Sequence, residues 1–511
     1  MSSMTDTFFS LPTTILAVGS ALVLTAVWRV CRSPLSRSNI PGPWCVAVSN
    51  IWFDWQGLRR ERVRAIHALF VAYGPVVRIG PNRVAFNDVE AVREIYRTHK
   101  FRKGGWYRPL TFGGTDNSFS TADEALHAQF RRWSAPAFRG DNLRKAGLAL
   151  EGEMDDLIGR IIRDSAHGGP IEVFKLFRIL SLGITVLGTH FDQIASSKDH
   201  VFTQYTERWL MDKALVAFLP GVIYSFLQSL PIRWLRDVFD ADKRMCSCAS
   251  ELYDEADDEK DPIKAANILT TCKAYRDSTS TLPAPRDLVV GEAAVFLTAG
   301  TDTTGIAFTY IAYELARSRQ LWTKLRRELE TVPTELKYNV DILRRLPYLN
   351  AFIREVLRVR GPANTFFERV VPPEGVHLAG YFIPGGTMVG GLAWSFHLDP
   401  NIFPEPDQVT PERWVEPCLD SPSGWRERND LPSDMQSAYF PFGQGIRSCV
   451  GRPLAELELV LVTTTLVRNF SLSLHETTTP KSMKSVDMGV LLPKEGRCLL
   501  YLEFEPVSGS K

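Results

Sequence analysis

The sequence predicts a mainly α-helical fold with small β-sheets, preceded by one N-terminal transmembrane helix. Three observations carry this. Thr7 to Trp28 is free of charge and rich in Leu, Val, Ala and Phe. Arg286 to Arg317 lacks proline and is apolar over most of its length, so at about 1.5 Å per residue it predicts a helix of about 48 Å. Strand-like runs are short and separated by Gly and Pro, as at 76–86 and 376–389. A length of 511 residues suggests roughly three domains at about 150 residues each, but a helix that long would cross a whole domain. We therefore expect residues 1–32 as a membrane anchor, 33–43 as a linker, and 44–511 as one catalytic domain.

At about 1.5 Å per residue, Thr7 to Trp28 spans about 33 Å, against about 30 Å for a bilayer core. Arg29, Arg32 and Arg37 follow it, while only Asp6 precedes it. The positive-inside bias then puts the bulk of the chain in the cytoplasm. A cleaved signal peptide would need basic residues before the apolar run and a small-residue cleavage site after it, and neither is present. Ser33 to Pro43 (SPLSRSNIPGP) reads as a stiff linker, because proline fixes φ.

Lys and Arg number 59 against 58 Asp and Glu, a formal net charge of +1. Phosphate backbones are held by a basic surplus, so no nucleic acid partner is expected. Eight cysteines are scattered without a CxxC pair, which favours a reduced compartment over a secreted disulfide framework. Cys246-Ser-Cys248 is the only close pair and lacks the spacing and further ligands of a zinc site.

Along the chain, Val76–Ile79 and Val84–Phe86 flank Gly80-Pro81-Asn82, a hairpin signal. Asp88 starts a helix with Val89, Val92, Ile95 and Tyr96 at helical spacing. Thr121-Ala-Asp-Glu124 reads as a capping box for a helix running toward Pro136. Residues 142–190 read as amphipathic helices, and the acidic run from Asp254 to Glu259 as a solvated segment. Beyond the long helix, helices continue to about Arg358. Short strands follow at 376–378, 381–383 and 387–389, then a last helix from Pro453 to about Val467 and closing strands at 491–492 and 499–504.

Chemistry concentrates at Phe442-Gly-Gln-Gly-Ile-Arg-Ser-Cys449-Val-Gly451. Glycines bend a loop that brings a thiol to a helix N-terminus, where Pro453 suits the first turn. Free N–H groups and the positive helix end there stabilise a thiolate, and Gly451 lets a flat macrocycle approach the backbone. Within the long helix, Ala299-Gly-Thr-Asp302-Thr303-Thr304 places poor helix formers in a helix interior. There Thr303 can bond the carbonyl of Ala299 and open a local distortion. Glu355-Val-Leu-Arg358 alone means little, since Glu61–Arg64 and Glu90–Arg93 have the same spacing. Its weight comes from Pro411-Glu-Arg413-Trp414 and then the cysteine loop following in order.

These motifs resemble those of the cytochrome P-450 superfamily, and the resemblance runs from the anchor to the end of the chain. It implies that Cys449 is the axial ligand of haem b (iron protoporphyrin IX). Thiolate donation that favours O–O cleavage is the known behaviour of this superfamily. It implies that Asp302 and Thr303 deliver protons to dioxygen, and that Glu355, Arg358 and Arg413 form a buried network holding the cysteine loop. His127 and Arg131, four apart on one helix face, match a family WxxxR pattern with His in place of Trp. With Arg369 and Arg447 they would contact the haem propionates. The chain reads Val359-Arg-Gly-Pro362 where many members have Leu-x-Pro, so the pocket lining is not transferable.

The implied activity is insertion of one oxygen atom of O2 into a small, mostly apolar organic molecule. No GxGxxG motif follows a strand, so electrons must come from a separate NADPH-dependent flavoprotein reductase. Arg131, Arg132, Arg139, Arg447 and Arg452, in segments on the haem's proximal side in similar proteins, would suit an acidic partner. Pro41 to Phe138 and the run from Val370 to Gly375 look most like microsomal enzymes of fungi. That likeness implies a single-pass protein of the endoplasmic reticulum membrane, its catalytic domain cytoplasmic, working in natural-product (secondary metabolite) biosynthesis. Two alternatives compete. A haem-thiolate isomerase or dehydratase needs no external electrons but often lacks the Asp302–Thr303 pair, and a non-catalytic haem sensor would need no proton relay.

Overall fold

The computed structural model describes residues 33–186, 201–256, 268–274 and 284–507, together with residues 20, 24 and 25. The expected membrane-spanning stretch Thr7–Trp28 lies, apart from those three positions, outside the described residues, as does the acidic run beyond Ala256. Among the described residues no helix is long and apolar enough to cross a membrane. The contacts gather into two units, one running to Gly104 and including Phe366–Ser395, the other comprising Gly105–Thr365 and the chain from Phe396 onward.

The first unit is built on a five-stranded sheet. Its strands are β1 (Val76–Gly80), β2 (Arg83–Phe86), β3 (Arg102–Lys103), β4 (Arg369–Val370) and β5 (Met388–Gly391), in the order β1-β2-β5-β4-β3. β1 and β2 form the expected hairpin, while β2 pairs parallel with β5. The third expected strand therefore starts one residue late and does not extend the small hairpin of Val376–Leu378 with Tyr381–Ile383. The turn at Pro384–Gly386 sends it away instead, and the Met388 N–H bonds the Asn82 carbonyl at 3.0 Å. Helix α1 (Val89–Arg97) is capped by the Asp88 side chain, which accepts from Ala91 N–H, and buries Val92, Ile95 and Tyr96.

The second unit is helical. Helix α2 (Glu124–Ser134) begins two residues later than the capping box predicts. Asp123 caps it by accepting from Leu126 N–H, because the Thr121 hydroxyl is taken by Asp123 N–H in a local turn. α3 (Gly140–Ser165) and α4 (Val173–Val186) follow, separated by a strand at Ile171–Glu172. α5 (Arg286–Arg317) is buried on nearly every side, as a helix apolar all round should be. It packs against α4, α6 (Pro347–Arg360) and α7 (Arg452–Asn469). Fully buried side chains such as Leu297, Phe308 and Ile311 each contribute about 1.5–3 kcal/mol of apolar burial. The N-terminus of α6 is capped by Glu328, whose carboxylate accepts from Tyr348 N–H (2.9 Å) and Leu349 N–H (2.7 Å). After α7 the strand Phe470–Leu474 pairs with Leu499–Phe504, which pairs in turn with Ile171–Glu172.

Candidate functional site

The loop from Phe440 to Gly451 is folded by its own backbone. Gly443 N–H bonds Phe440 O at 3.0 Å, Ser448 N–H bonds Gly445 O at 3.0 Å, and Cys449 N–H bonds Phe442 O at 2.9 Å. Gly443 and Gly445 sit at φ +71° and +70°, the left-handed region that a side chain disfavours. The loop therefore ends with Cys449 immediately before α7, with Gly451 at the cap and Pro453 in the first turn. Cys449 is accessible, yet burial in the surrounding protein pushes its thiol pKa upward. The Gly451 N–H, the Arg131 charge and the Arg452 N–H oppose the shift by favouring a thiolate.

One of the expected cations touches this loop and another belongs to it. Arg131, on α2, donates from Nη1 to Ser448 O at 3.2 Å, and burial lowers its pKa. Arg447 donates to Thr121 O at 3.1 Å, tying the loop to the residues just before α2. His127 lies buried one turn before Arg131 on the same helix. Arg369 belongs to the first unit, where it is buried, donates to Glu368 O at 3.0 Å and lies 5.1 Å from the Tyr96 ring centre.

α5 runs unbroken through the Asp302–Thr303 motif, so the helix is not interrupted at the expected distortion. The Thr303 hydroxyl nevertheless bonds Ala299 O at 2.7 Å, and the carbonyl of Gly300 accepts from the Ser181 hydroxyl at 2.8 Å. Ala299 is exposed in the middle of an otherwise buried helix, and Thr303, one turn on, is half-buried. Asp302 is paired with Arg178 on α4, which reaches its Oδ1 from Nε at 2.9 Å and Nη2 at 2.8 Å. Burial opposes the Arg178 charge, but Asp302 and Glu207 outweigh it and hold the guanidinium above its ordinary pKa. Nothing in the residue pattern of α4 flagged Arg178. Phe138 links α5 to the cysteine turn: its ring centre is 5.6 Å from that of Phe296, and a Cβ on Gly451 would lie 3.6 Å from it.

Glu355, Arg358 and Arg413 are brought together. Arg358 makes two 2.8 Å bonds to the Glu355 carboxylate, with both side chains fully buried, and Arg413 Nε lies 3.4 Å from Glu355 Oε2. Trp414 Nε1–H (2.8 Å) and Thr410 N–H (3.0 Å) also donate to that carboxylate. Arg358 further donates to the carbonyls of His397, Pro406 and Gln408 at 2.6–2.8 Å. A buried pair is costly to desolvate and holds only with such complete satisfaction. Trp414 and His397 are members that sequence reasoning missed. Trp414 lay inside the quoted Pro-Glu-Arg-Trp run, so its indole N–H was the available signal.

Comparison with known proteins agrees with this arrangement. The Cytochrome P450 family model matches residues 40–500. The chain belongs to that family. It is 29% identical over 504 residues to a cytochrome P450 monooxygenase, aflV, of Aspergillus parasiticus, covering 95% of this chain and 96% of that one. It is 29% identical over 469 residues to the tryprostatin B 6-hydroxylase of Aspergillus fumigatus, covering 88% of this chain and 77% of that one. Among solved structures it matches retinoic-acid-bound cyanobacterial CYP120A1 with a TM-score of 0.65 at 19% identity, over 85% of this chain and 93% of that one. That last likeness concerns the fold alone.

The protein is thus an enzyme of the cytochrome P450 class, a monooxygenase whose cofactor is haem and which takes O2 and electrons from a redox partner. The residues present fit that cofactor. An accessible sulfur with helix N-terminal N–H groups directed to it suits an iron ligand. Arg131 and Arg447 beside it suit carboxylate groups.

Proposed function

We propose that the protein inserts one oxygen atom of O2 into a small, mostly apolar organic molecule in a secondary-metabolite pathway. The observation that carries the reading is the exposed Cys449 just before the N-terminus of α7, in the same unit as an acid–alcohol pair on α5. Support for the pathway comes from relatives such as the tryprostatin B 6-hydroxylase, whose name describes oxidation of a natural product.

In this reading Cys449 would hold the haem iron through its sulfur. Arg131, Arg447 and His127 would bind the propionates. Glu355, Arg358 and Arg413 keep the cysteine loop in place. When bound, haem supplies reductive activation of O2 and oxygen transfer. The chain's own residues supply the proton. Asp302, paired with Arg178, would relay protons to the Thr303 hydroxyl on the half-buried face of α5. The buried residues around them, Phe296, Leu297, Ile306 and Ala307, exclude bulk water.

Electrons come from an NADPH-dependent flavoprotein reductase. Residues 1–32 anchor the chain in the endoplasmic reticulum membrane, 33–43 act as a linker, and 44–511 work as one catalytic domain on the cytoplasmic side. Removal of residues 1–28 should then release the protein from membranes with its haem spectrum intact.

The test is the ratio of product formed to NADPH oxidised. Thr303→Ala removes a hydroxyl without adding charge, so haem uptake should survive while electrons are lost to hydrogen peroxide. General acid–base steps are worth about 10²–10⁴-fold, so product per electron should fall steeply. Unchanged coupling would overturn the role of Thr303. Turnover without O2 or NADPH consumption would overturn the monooxygenase reading in favour of an isomerase or dehydratase.

A further inference from the structure

His397 lies between the Glu355 network and the cysteine loop and contacts both. It is fully buried. Its carbonyl accepts from Arg358 Nη1 at 2.6 Å, and its ring Nε2 accepts the backbone N–H of Phe440 at 3.1 Å. The ring stacks on Tyr439, with centroids 5.6 Å apart and planes 28° from parallel, and meets Phe440 edge-on at 5.6 Å. Phe440 is where the loop begins to fold on itself, since its carbonyl accepts from Gly443 N–H, and two residues later the Phe442 carbonyl accepts from Cys449 N–H. Contacts therefore run without interruption from Glu355 through Arg358 and His397 to Phe440 and the backbone that carries the sulfur.

The ring's protonation state follows from these partners. An Nε2 that accepts leaves the single proton of a neutral imidazole on Nδ1. Nδ1 is buried with no partner among the described residues. An unmade bond at a buried donor is a cost that an aliphatic residue here would avoid. Burial and the Arg358 charge push the ring pKa down to about 3, so the acceptor persists across the working pH range. A carboxylate could also accept, but it would bring a charge into a place where Glu355 already answers Arg358 and Arg413.

We propose that His397 is a positioning residue for Cys449, its Nε2 pinning Phe440 so that the Glu355–Arg358 pair sets where the loop presents the sulfur. This rests on Cys449 being the haem ligand. It adds to the network a residue whose side chain bonds the backbone of the cysteine loop directly.

The test uses the haem-loaded protein and the spectrum of its reduced, carbon-monoxide-bound form, in which thiolate and neutral-thiol ligation give separate bands. His397→Phe keeps an aromatic ring against Tyr439 and Phe440 but removes the acceptor. His397→Gln carries an acceptor about as far from the backbone as Nε2, and His397→Asn does not. The proposal expects the thiolate band of His397→Phe to convert to the thiol band at a lower temperature than in wild type. It expects His397→Gln to recover much of the difference and His397→Asn to recover little. If His397→Phe does not load haem, loading by the Gln variant and failure of the Asn variant support the proposal. A His397→Phe variant that keeps the wild-type conversion temperature overturns it, as do Gln and Asn variants that behave alike. A wild-type protein without a thiolate band would instead remove Cys449 as the ligand.

Discussion

Arg178 binds a single oxygen of Asp302 from two nitrogens, Nε at 2.9 Å and Nη2 at 2.8 Å, with about a tenth of each side chain exposed. The acid of the motif on α5 is therefore held by a neighbouring helix. Removing one partner of so enclosed a pair leaves the other's charge unanswered. Arg178→Met should destabilise the folded protein by about 3 kcal/mol. Combining it with Asp302→Asn should cost less than the sum of the two single changes. Urea unfolding of the four proteins gives the coupling, and strict additivity would show that the pair carries no net interaction.

Gly305 controls the same contact from the backbone side. A Cβ there would lie 2.9 Å from Arg178 Cα and 3.1 Å from its N, so α4 and α5 cross with only a hydrogen atom between them. Alanine favours a helix interior over glycine by about 1 kcal/mol, but overpacking typically costs about 1–3 kcal/mol. Gly305→Ala should therefore lower the melting temperature and separate Arg178 from Asp302. A raised melting temperature would mean that the helices can part without loss.

The long helix was legible to the residue, Arg286–Arg317, because an apolar, proline-free stretch of that length has no other use. The hairpin and the Asp88 cap were legible because their signals are local. What escaped was decided by partners far along the chain. The strand at Met388–Gly391 joins β2 rather than the adjacent hairpin, and Arg369–Val370 is too short to show a period. At the site, the Cys449 loop was legible, and the Glu355–Arg358 spacing gained meaning only from Pro411-Glu-Arg413-Trp414 and the cysteine loop following in order. Arg178 and His397 could not be read, since the side-chain bonds that matter reach partners 124 and 43 residues away.

Glu328 caps α6, the helix that bears Glu355 and Arg358. Burial raises its pKa to about 7 against 4.5 for a free glutamate, although the N–H groups of Tyr348 and Leu349 pull the other way. Between those values the folded form binds a proton that the unfolded form has lost. Its contribution is thus full below pH 4.5 and declines as the pH rises through 7. Glu328→Gln should remove a fall in stability on the order of 3 kcal/mol across that window. Denaturant midpoints at pH 5 and 8 for both proteins check this. An equal pH slope in the variant would mean that Glu328 is ionised throughout.

If the Cys449 sulfur ligates the iron, the absorption spectrum of the reduced, carbon-monoxide-bound protein reports that bond directly. Wild type should show the red-shifted Soret band of thiolate-ligated haem, and Cys449→Ala should lose it together with oxygenase activity. A wild-type spectrum typical of histidine ligation, or a Cys449→Ala protein that retains the thiolate band, would contradict ligation by Cys449.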